Sequence, residues 1–127
     1  MSHIKVRLPH GRELTITDVL RFCFEMNDTD LSVMMYLLEH GPKTVEELAE
    51  GLKINRSSVN RSLLKLLKTG LIDRERIRRE GCVGRPKYLY KCRSYEHVKN
   101  VLSTRFKICA NAATKLIEEL KPLSKQG

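Results

Sequence analysis

The side chains best suited to bind another molecule lie between positions 56 and 68. Arginine can pair bidentately with guanine, asparagine can do the same with adenine, and serine can contact a base or a phosphate. No acidic residue occurs from position 56 to position 70, whereas a merely solvated helix face usually carries both signs. The pattern favours a nucleic-acid-binding surface over the alternative, an ordinary amphipathic helix. The candidate residues are Arg56, Ser57, Ser58, Asn60, Arg61, Lys65 and Lys68.

A second basic group surrounds the glycines at positions 81 and 84. Its members are Arg78, Arg79, Arg85 and Lys87. An arginine raised on a turn of small residues can enter the narrow, electronegative minor groove of A·T-rich DNA, and we predict this role for Arg85. The other three residues would contact phosphates. The alternative is a hairpin that only completes a small sheet and leaves its charges in solvent.

The charge of the chain is distributed unevenly. The 127 residues carry a net charge of +9, yet residues 1–55 have a net charge of −3 and residues 74–93 a net charge of +6. Such a field favours an anionic partner. No apolar run approaches the ~18 residues that a membrane span needs, and no signal peptide is recognisable at the start. We therefore predict no membrane partner and a cytoplasmic, nucleoid-associated location.

The cysteines and histidines do not form a recognisable reactive or metal-binding set. The four cysteines are Cys23, Cys82, Cys92 and Cys109, and no two of them form a C-x-x-C pair. We expect reduced thiols, with the first and last in the core, although the middle two flank a glycine-rich turn and could form a redox pair or part of a metal site. No nucleophile–base set or phosphate-binding loop is apparent. The sequence thus predicts no metal, no cofactor and no enzyme.

Two helices joined by a tight turn must hold the residues of positions 56–68 in place. Thr44 and Glu47 fit a capping box, Asn55 can cap the next helix, and Gly70 can end it. Apolar residues recur every three or four positions in the second helix, so that one side can pack while the other stays free. In a helix-turn-helix the N-terminal turns reach base edges. The predicted base contacts are therefore Arg56, Ser57, Ser58, Asn60 and Arg61, and the two lysines are predicted to meet phosphate or solvent.

Strands on both sides of the glycine-rich loop extend this motif to a winged helix. They are predicted at residues 71–78 and 88–92, with a wing at 79–87. Upstream, alternating apolar residues around Pro9-His10-Gly11 predict a β-hairpin, followed by a short helix at 18–26. Asn27 would cap the next helix, which Gly41 and Pro42 would end. The predicted fold class is mainly α with a small β-wing (α+β).

The last predicted helix has an apolar seam at heptad spacing, typical of a coiled-coil surface. A helix of ~27 residues extends ~40 Å, which is too long for one small domain to cover. We therefore predict a homodimer through this helix, with a helix folded back on a monomer as the alternative. The predicted parts are an N-terminal extension (1–26), a winged helix-turn-helix domain (27–93) and a dimerisation helix (94–121). The predicted interface residues are Leu102, Phe106, Cys109, Ala113, Leu116 and Leu120.

The segment from position 27 to position 92 resembles the MarR-like and TrmB-like winged-helix transcriptional regulators, particularly short archaeal members. The resemblance rests on YLLEHGPKTVEELAEGLKINRSSVNRSLLKLLKTGLIDRE and on the wing GRPKYLY. It implies a dimeric, sequence-specific DNA-binding regulator that reads DNA with residues 56–68 and carries Arg85 at the wing tip. The large effector domain of full-length TrmB-like proteins has no counterpart here, so the resemblance implies no sugar ligand.

These observations predict a homodimeric regulator that binds double-stranded DNA at a palindromic operator. The alternative is a winged-helix module that docks on a protein of the transcription machinery and has weak or no DNA specificity. Control by an unknown small-molecule effector, or by oxidation of Cys82 and Cys92, would be a further property of either protein.

Overall fold

The computed structural model describes residues 5–77 and 87–122. The elements follow the order of a winged helix with an extension at each end, and the predicted mainly-α fold class with a small β-wing is confirmed. They are β1 (Val6–Arg7), β2 (Glu13–Leu14), α1 (Ile16–Phe24), α2 (Asp28–His40), α3 (Val45–Leu52), α4 (Arg56–Lys68), β3 (Ile72–Ile77), β4 (Lys87–Cys92) and α5 (Tyr95–Glu118).

Capping side chains define the starts of the helices. Thr15, Asn27 and Thr44 each accept a hydrogen bond from the third residue of the following helix, and an acidic side chain there bonds back to the cap. These reciprocal bonds satisfy backbone donors that a helix start leaves free. The first helix consequently begins at Ile16 rather than at the predicted position 18, because Asp18 is the capping-box partner of Thr15.

Helices α2, α3 and α4 enclose the core, and the wing strands close it. Leu37 of α2, Leu48 of α3 and Leu63 of α4 are completely buried. The antiparallel wing pairs Ile72 with Cys92 and Ile77 with Lys87. One further bridge between residues 43 and 90 ties the wing to the segment that leads into α3.

Gly51, a residue type common in turns, lies inside α3. The ring of Tyr36, from α2, occupies the space that a side-chain β-carbon at position 51 would need. The turn instead falls at Lys53, which adopts a left-handed conformation with φ of 57° and donates its N–H to the carbonyl of Ala49. A glycine at position 51 therefore allows α2 and α3 to approach each other closely.

The C-terminal helix packs against the domain in its first turns, and its last turns extend beyond the domain. Val98 is buried, and Val101 and Leu102 pack against the core. Farther along, the large apolar side chains are exposed. Leu116, near the end of the helix, retains 74% of its accessible surface, and Leu120, just beyond the helix, retains 82%.

The prediction that Cys23 and Cys109 are reduced thiols is wrong. They form a disulfide between α1 and α5, with Cα atoms 5.8 Å apart, a separation well suited to such a bond. The bond joins residues 86 positions apart, so that only the packing of the two helices brings them together. Cys109 and Leu102, both predicted for the dimer seam, thus make contacts within their own chain.

Candidate nucleic-acid interface

Helix α4 is held by a capped start and a fully buried inner face. The Asn55 side chain accepts a 2.8 Å hydrogen bond from the N–H of Ser58. Val59, Leu63 and Leu66 have no accessible surface, which follows from their spacing of four and three residues along one side of the helix. The rotation of α4 about its axis is thereby set, and with it the side chains that face outward.

The outward face contains most of the residues predicted to bind DNA. Arg61 donates a hydrogen bond of 3.2 Å from its guanidinium to the hydroxyl of Ser58, so Ser58 can support the arginine. Helical spacing of three and four places the exposed residues in one stripe along the helix. The exposed residues of α4 are Arg56, Ser57, Asn60, Arg61, Leu64 and Lys68.

Lys65 has a partner inside the fold, in contrast to the predicted phosphate or solvent contact. Its ammonium lies 2.7 Å from a carboxylate oxygen of Asp30 and 3.2 Å from the carbonyl oxygen of Glu25. The hydroxyl of Ser62 donates to the other oxygen of Asp30 at 2.6 Å. Asp30 retains only 1% of its accessible surface. This cluster fastens α4 to the start of α2, and the ammonium of Lys65 is thereby bound within the fold.

The pKa of Asp30 reflects this environment. Burial raises the pKa of a carboxyl group, but hydrogen bonds from Lys65, Ser62 and the backbone N–H of Asn27 together keep the pKa of Asp30 below its ordinary value. The carboxylate is therefore ionised and accepts three donors. The signal for Asp30 in the sequence was only that it is one of two acidic residues in the first turn of α2.

An acidic residue also lies at the edge of the basic face. Glu46, in the first turn of α3, approaches the guanidinium of Arg56 to 3.4 Å. The pKa of the Glu46 carboxyl is lowered chiefly by a hydrogen bond from its own backbone N–H, against the effect of burial, and further by the positive charges of Lys87 and Arg56. Glu46 thus offsets part of the positive charge that faces a ligand.

A cleft of ≈ 670 Å³ separates α4 from the wing. Lys87 lines it, whereas Arg78, Arg79 and Arg85 lie outside the described residues. On the wing, the guanidinium of Arg74 stacks over the ring of Tyr88, 4.1 Å from its centre. The same cleft is lined by Arg74, Tyr88 and Leu64. None of the three was predicted from the sequence to be a site residue. For Arg74 and Tyr88, the alternation of side chains along β3 and β4 was the signal present in the sequence.

Among the residues that the structure describes, the remaining reactive side chains do not form a site. Burial, with a smaller effect of Asp73, raises the pKa of the Cys92 thiol to about 12, so its reactive thiolate is disfavoured. Its proposed redox partner Cys82 lies outside the described residues. Within residues 5–77 and 87–122, no cluster of three or more potential ligands could hold a metal ion. No helix of this part of the chain is long and apolar enough to cross a membrane.

A helix-turn-helix that presents a polar, basic face next to a β-wing defines the class of winged-helix DNA-binding proteins. Comparison with known proteins leads to the same class. The family described as sugar-specific transcriptional regulator TrmB matches residues 20–96. The chain belongs to this family, whose members are transcriptional regulators and not enzymes. The predicted family resemblance is thereby confirmed.

Similar proteins occur in several archaea. An uncharacterized protein of Methanocaldococcus jannaschii, MJ1082, is 30% identical over 91 residues, which cover 72% of this chain and 73% of the relative. The ST1889 protein from Sulfolobus tokodaii, whose crystal structure is known, has 34% sequence identity to this chain. Its structure matches with a TM-score of 0.58 over 76% of this chain and 92% of that one.

A likeness of fold alone extends over almost the whole chain. A possible transcriptional regulator from Methanosarcina mazei Go1 has a TM-score of 0.77 at 23% identity, over 95% of this chain and 100% of that one. The matched fold therefore includes the N-terminal extension and α5 as well as the winged helix.

Proposed function

We propose that the protein is a homodimeric, sequence-specific regulator that binds double-stranded DNA at a palindromic operator. Helix α4 enters the major groove, and the wing at residues 79–87 follows the minor groove and backbone. The observation that carries the proposal is the outward face of α4. Asn60 and Arg61 are exposed on it, whereas Val59 and Leu63 on the inner side are buried in the core. Residues 27–93 form the DNA-binding domain and residues 1–26 its extension, and the protein works in the cytoplasm on the nucleoid.

Each residue proposed to contact DNA has an assigned role. Arg56, Ser57, Asn60 and Arg61 lie in the first two turns and contact base edges, with Ser58 supporting Arg61. Lys68 lies near the C-terminal end, where the helix leaves the groove, and contacts a phosphate. Arg78, Arg79 and Lys87 contact phosphates from the wing, and Arg85 enters the minor groove.

The test begins with duplexes selected from a random library by the full chain and then measured by electrophoretic mobility shift. Arg61→Ala is expected to weaken the selected duplex about tenfold or more and to relax the preference at one base pair, since a bidentate contact is lost. Lys68→Ala should weaken all duplexes alike and reduce the salt dependence.

The matched control is Lys99→Ala, which removes one exposed positive charge from α5 and should leave binding nearly unchanged. Failure of the full chain to prefer any duplex over random DNA at low salt would contradict sequence-specific regulation. A protein-docking module would then become the better description.

Dimerisation rests on the exposed apolar side chains of α5. Leu116 and Ile117 at the end of α5, and Leu120 just beyond it, retain more than two thirds of their surface, and a helix that exposes such a seam is expected to pair with a second copy. Residues 94–121 are therefore assigned to dimerisation, through Phe106, Ala113, Leu116 and Leu120, with Leu102 and Cys109 at its inner edge.

A two-fold dimer would set two α4 helices about 34 Å apart, one helical turn of DNA. Sedimentation should show a dimer that Leu116→Asp converts to monomers. Asn111→Asp, which introduces the same charge on another side of α5, should remain dimeric. If Leu116→Asp sediments as the wild-type protein does, the proposed interface is wrong.

A further inference from the structure

Leu64 is the exception among the leucines of α4. It retains 60% of its accessible surface, whereas Leu63 and Leu66 on either side have none. It lies one turn beyond Asn60 and Arg61, in the middle of the outward stripe. A large apolar side chain thus occupies the centre of the face that otherwise carries polar and basic groups.

The surroundings of Leu64 indicate what it contacts. It lines the cleft between α4 and the wing together with Asn60, Arg74 and Tyr88. Arg56 and Lys87 also line the cleft, together with Glu46, which offsets part of their positive charge. A partner that places an apolar group against Leu64 and negative charge around it would be complementary to this surface. The thymine 5-methyl group has this setting, because it is an apolar group in the major groove between two rows of phosphates.

We infer that Leu64 determines part of the sequence specificity by contacting the 5-methyl group of a thymine. One helical turn from Asn60 corresponds to ~5.4 Å along α4, so the thymine lies one or two base pairs from the pair that Asn60 or Arg61 reads. The inference rests on the proposed function and adds to it a base that hydrogen bonds alone would not select.

Replacing thymine by deoxyuridine removes only this methyl group and keeps every hydrogen-bonding atom of the base pair. The experiment uses the full chain and its selected duplex, in which each dT of one half-site is replaced by dU in turn. The wild-type protein is expected to lose about fourfold in affinity at one position, which corresponds to the burial of a single methyl group. Leu64→Ala should bind the dT duplex more weakly and should bind the dT and dU duplexes equally.

Lys68→Ala serves as the matched control, because it should weaken both duplexes and keep the fourfold difference between them. Leu64→Met keeps an apolar side chain of similar volume and should retain part of the difference. The inference is overturned if no dU substitution weakens wild-type binding, or if Leu64→Ala keeps the full difference.

The outcomes separate this inference from the proposed function. A protein that prefers a selected duplex but ignores the methyl group binds DNA as proposed without the leucine contact. A protein with no preferred duplex contradicts both. Leu64 is exposed, so its replacement should not unfold the chain, and circular dichroism of Leu64→Ala checks this directly.

Discussion

Replacing Asp30 by alanine removes the acceptor that fastens helix α4 to helix α2. The Ser62 hydroxyl, 2% exposed, would lose its partner, and an unsatisfied buried donor costs about 1–3 kcal/mol. The backbone N–H of Asn27 would lose its capping-box acceptor, for about 1 kcal/mol more. Lys65 is 36% exposed and can turn toward water, so its charge adds little. We expect the free energy of unfolding to fall by about 3 kcal/mol.

Urea denaturation followed by circular dichroism measures this change at a fixed protein concentration, because dimerisation would couple stability to concentration. The matched control is Asp28→Ala in the same helical turn. Asp28 is 72% exposed and pairs with Arg21 at 3.0 Å, so its loss should cost less than about 1 kcal/mol. Equal losses for the two variants, or a loss below about 1 kcal/mol for Asp30→Ala, would refute the reasoning.

The same carboxylate predicts a pH dependence. The pKa of Asp30 lies below its unfolded-state value of 3.8 in the folded chain, so the ionised group stabilises the fold above pH 3.8 and loses this effect as the pH falls through the folded-state pKa. The stability difference between the wild-type protein and Asp30→Asn should therefore narrow below pH 3.8. A difference that widens on acidification would contradict the assigned sign.

Two further predictions concern the disulfide and the acidic edge of the interface. Cys23→Ser should lower the free energy of unfolding by about 2–4 kcal/mol under oxidising conditions, because the bond to Cys109 closes a long loop. Under reducing conditions the variant and the wild-type protein should unfold alike. Glu46→Gln should tighten binding to all DNA sequences by about two- to fivefold at low salt, because the basic face loses a negative charge that repels the phosphates, and this gain should shrink as salt is added.

Each of these two predictions has a direct experimental check. Equal urea midpoints for Cys23→Ser and the oxidised wild-type protein would contradict the first prediction, and thiol titration of the unfolded wild-type protein reports whether the bond is present. Glu50→Gln, a change of the same charge at the far end of α3, is the control for the second. A gain for Glu46→Gln that favours one DNA sequence would contradict the electrostatic reason.

The local signals in the sequence were sufficient for most of the fold. Asn27, Thr44 and Asn55 cap helices as predicted, because a capping hydrogen bond joins residues only three positions apart and depends little on the rest of the chain. The spacing of Val59 and Leu63 likewise identified the inner face of α4. These interactions act within one or two helical turns, and the residue types alone reveal them.

Other features depend on how distant elements pack. Lys65 belongs to the outward basic series by sequence, yet it reaches a carboxylate 35 positions earlier in the chain. Cys23 and Cys109 form a bond across 86 positions. Leu64 has the residue type of a core position but lies outside the core. Helical periodicity leaves the crossing angle between two helices undetermined, and this angle decides which side chains meet and which stay exposed. The sequence by itself thus determined the helices and the polar, basic side of α4, whereas the tertiary structure decided which residues of that side are exposed and which are bound within the fold.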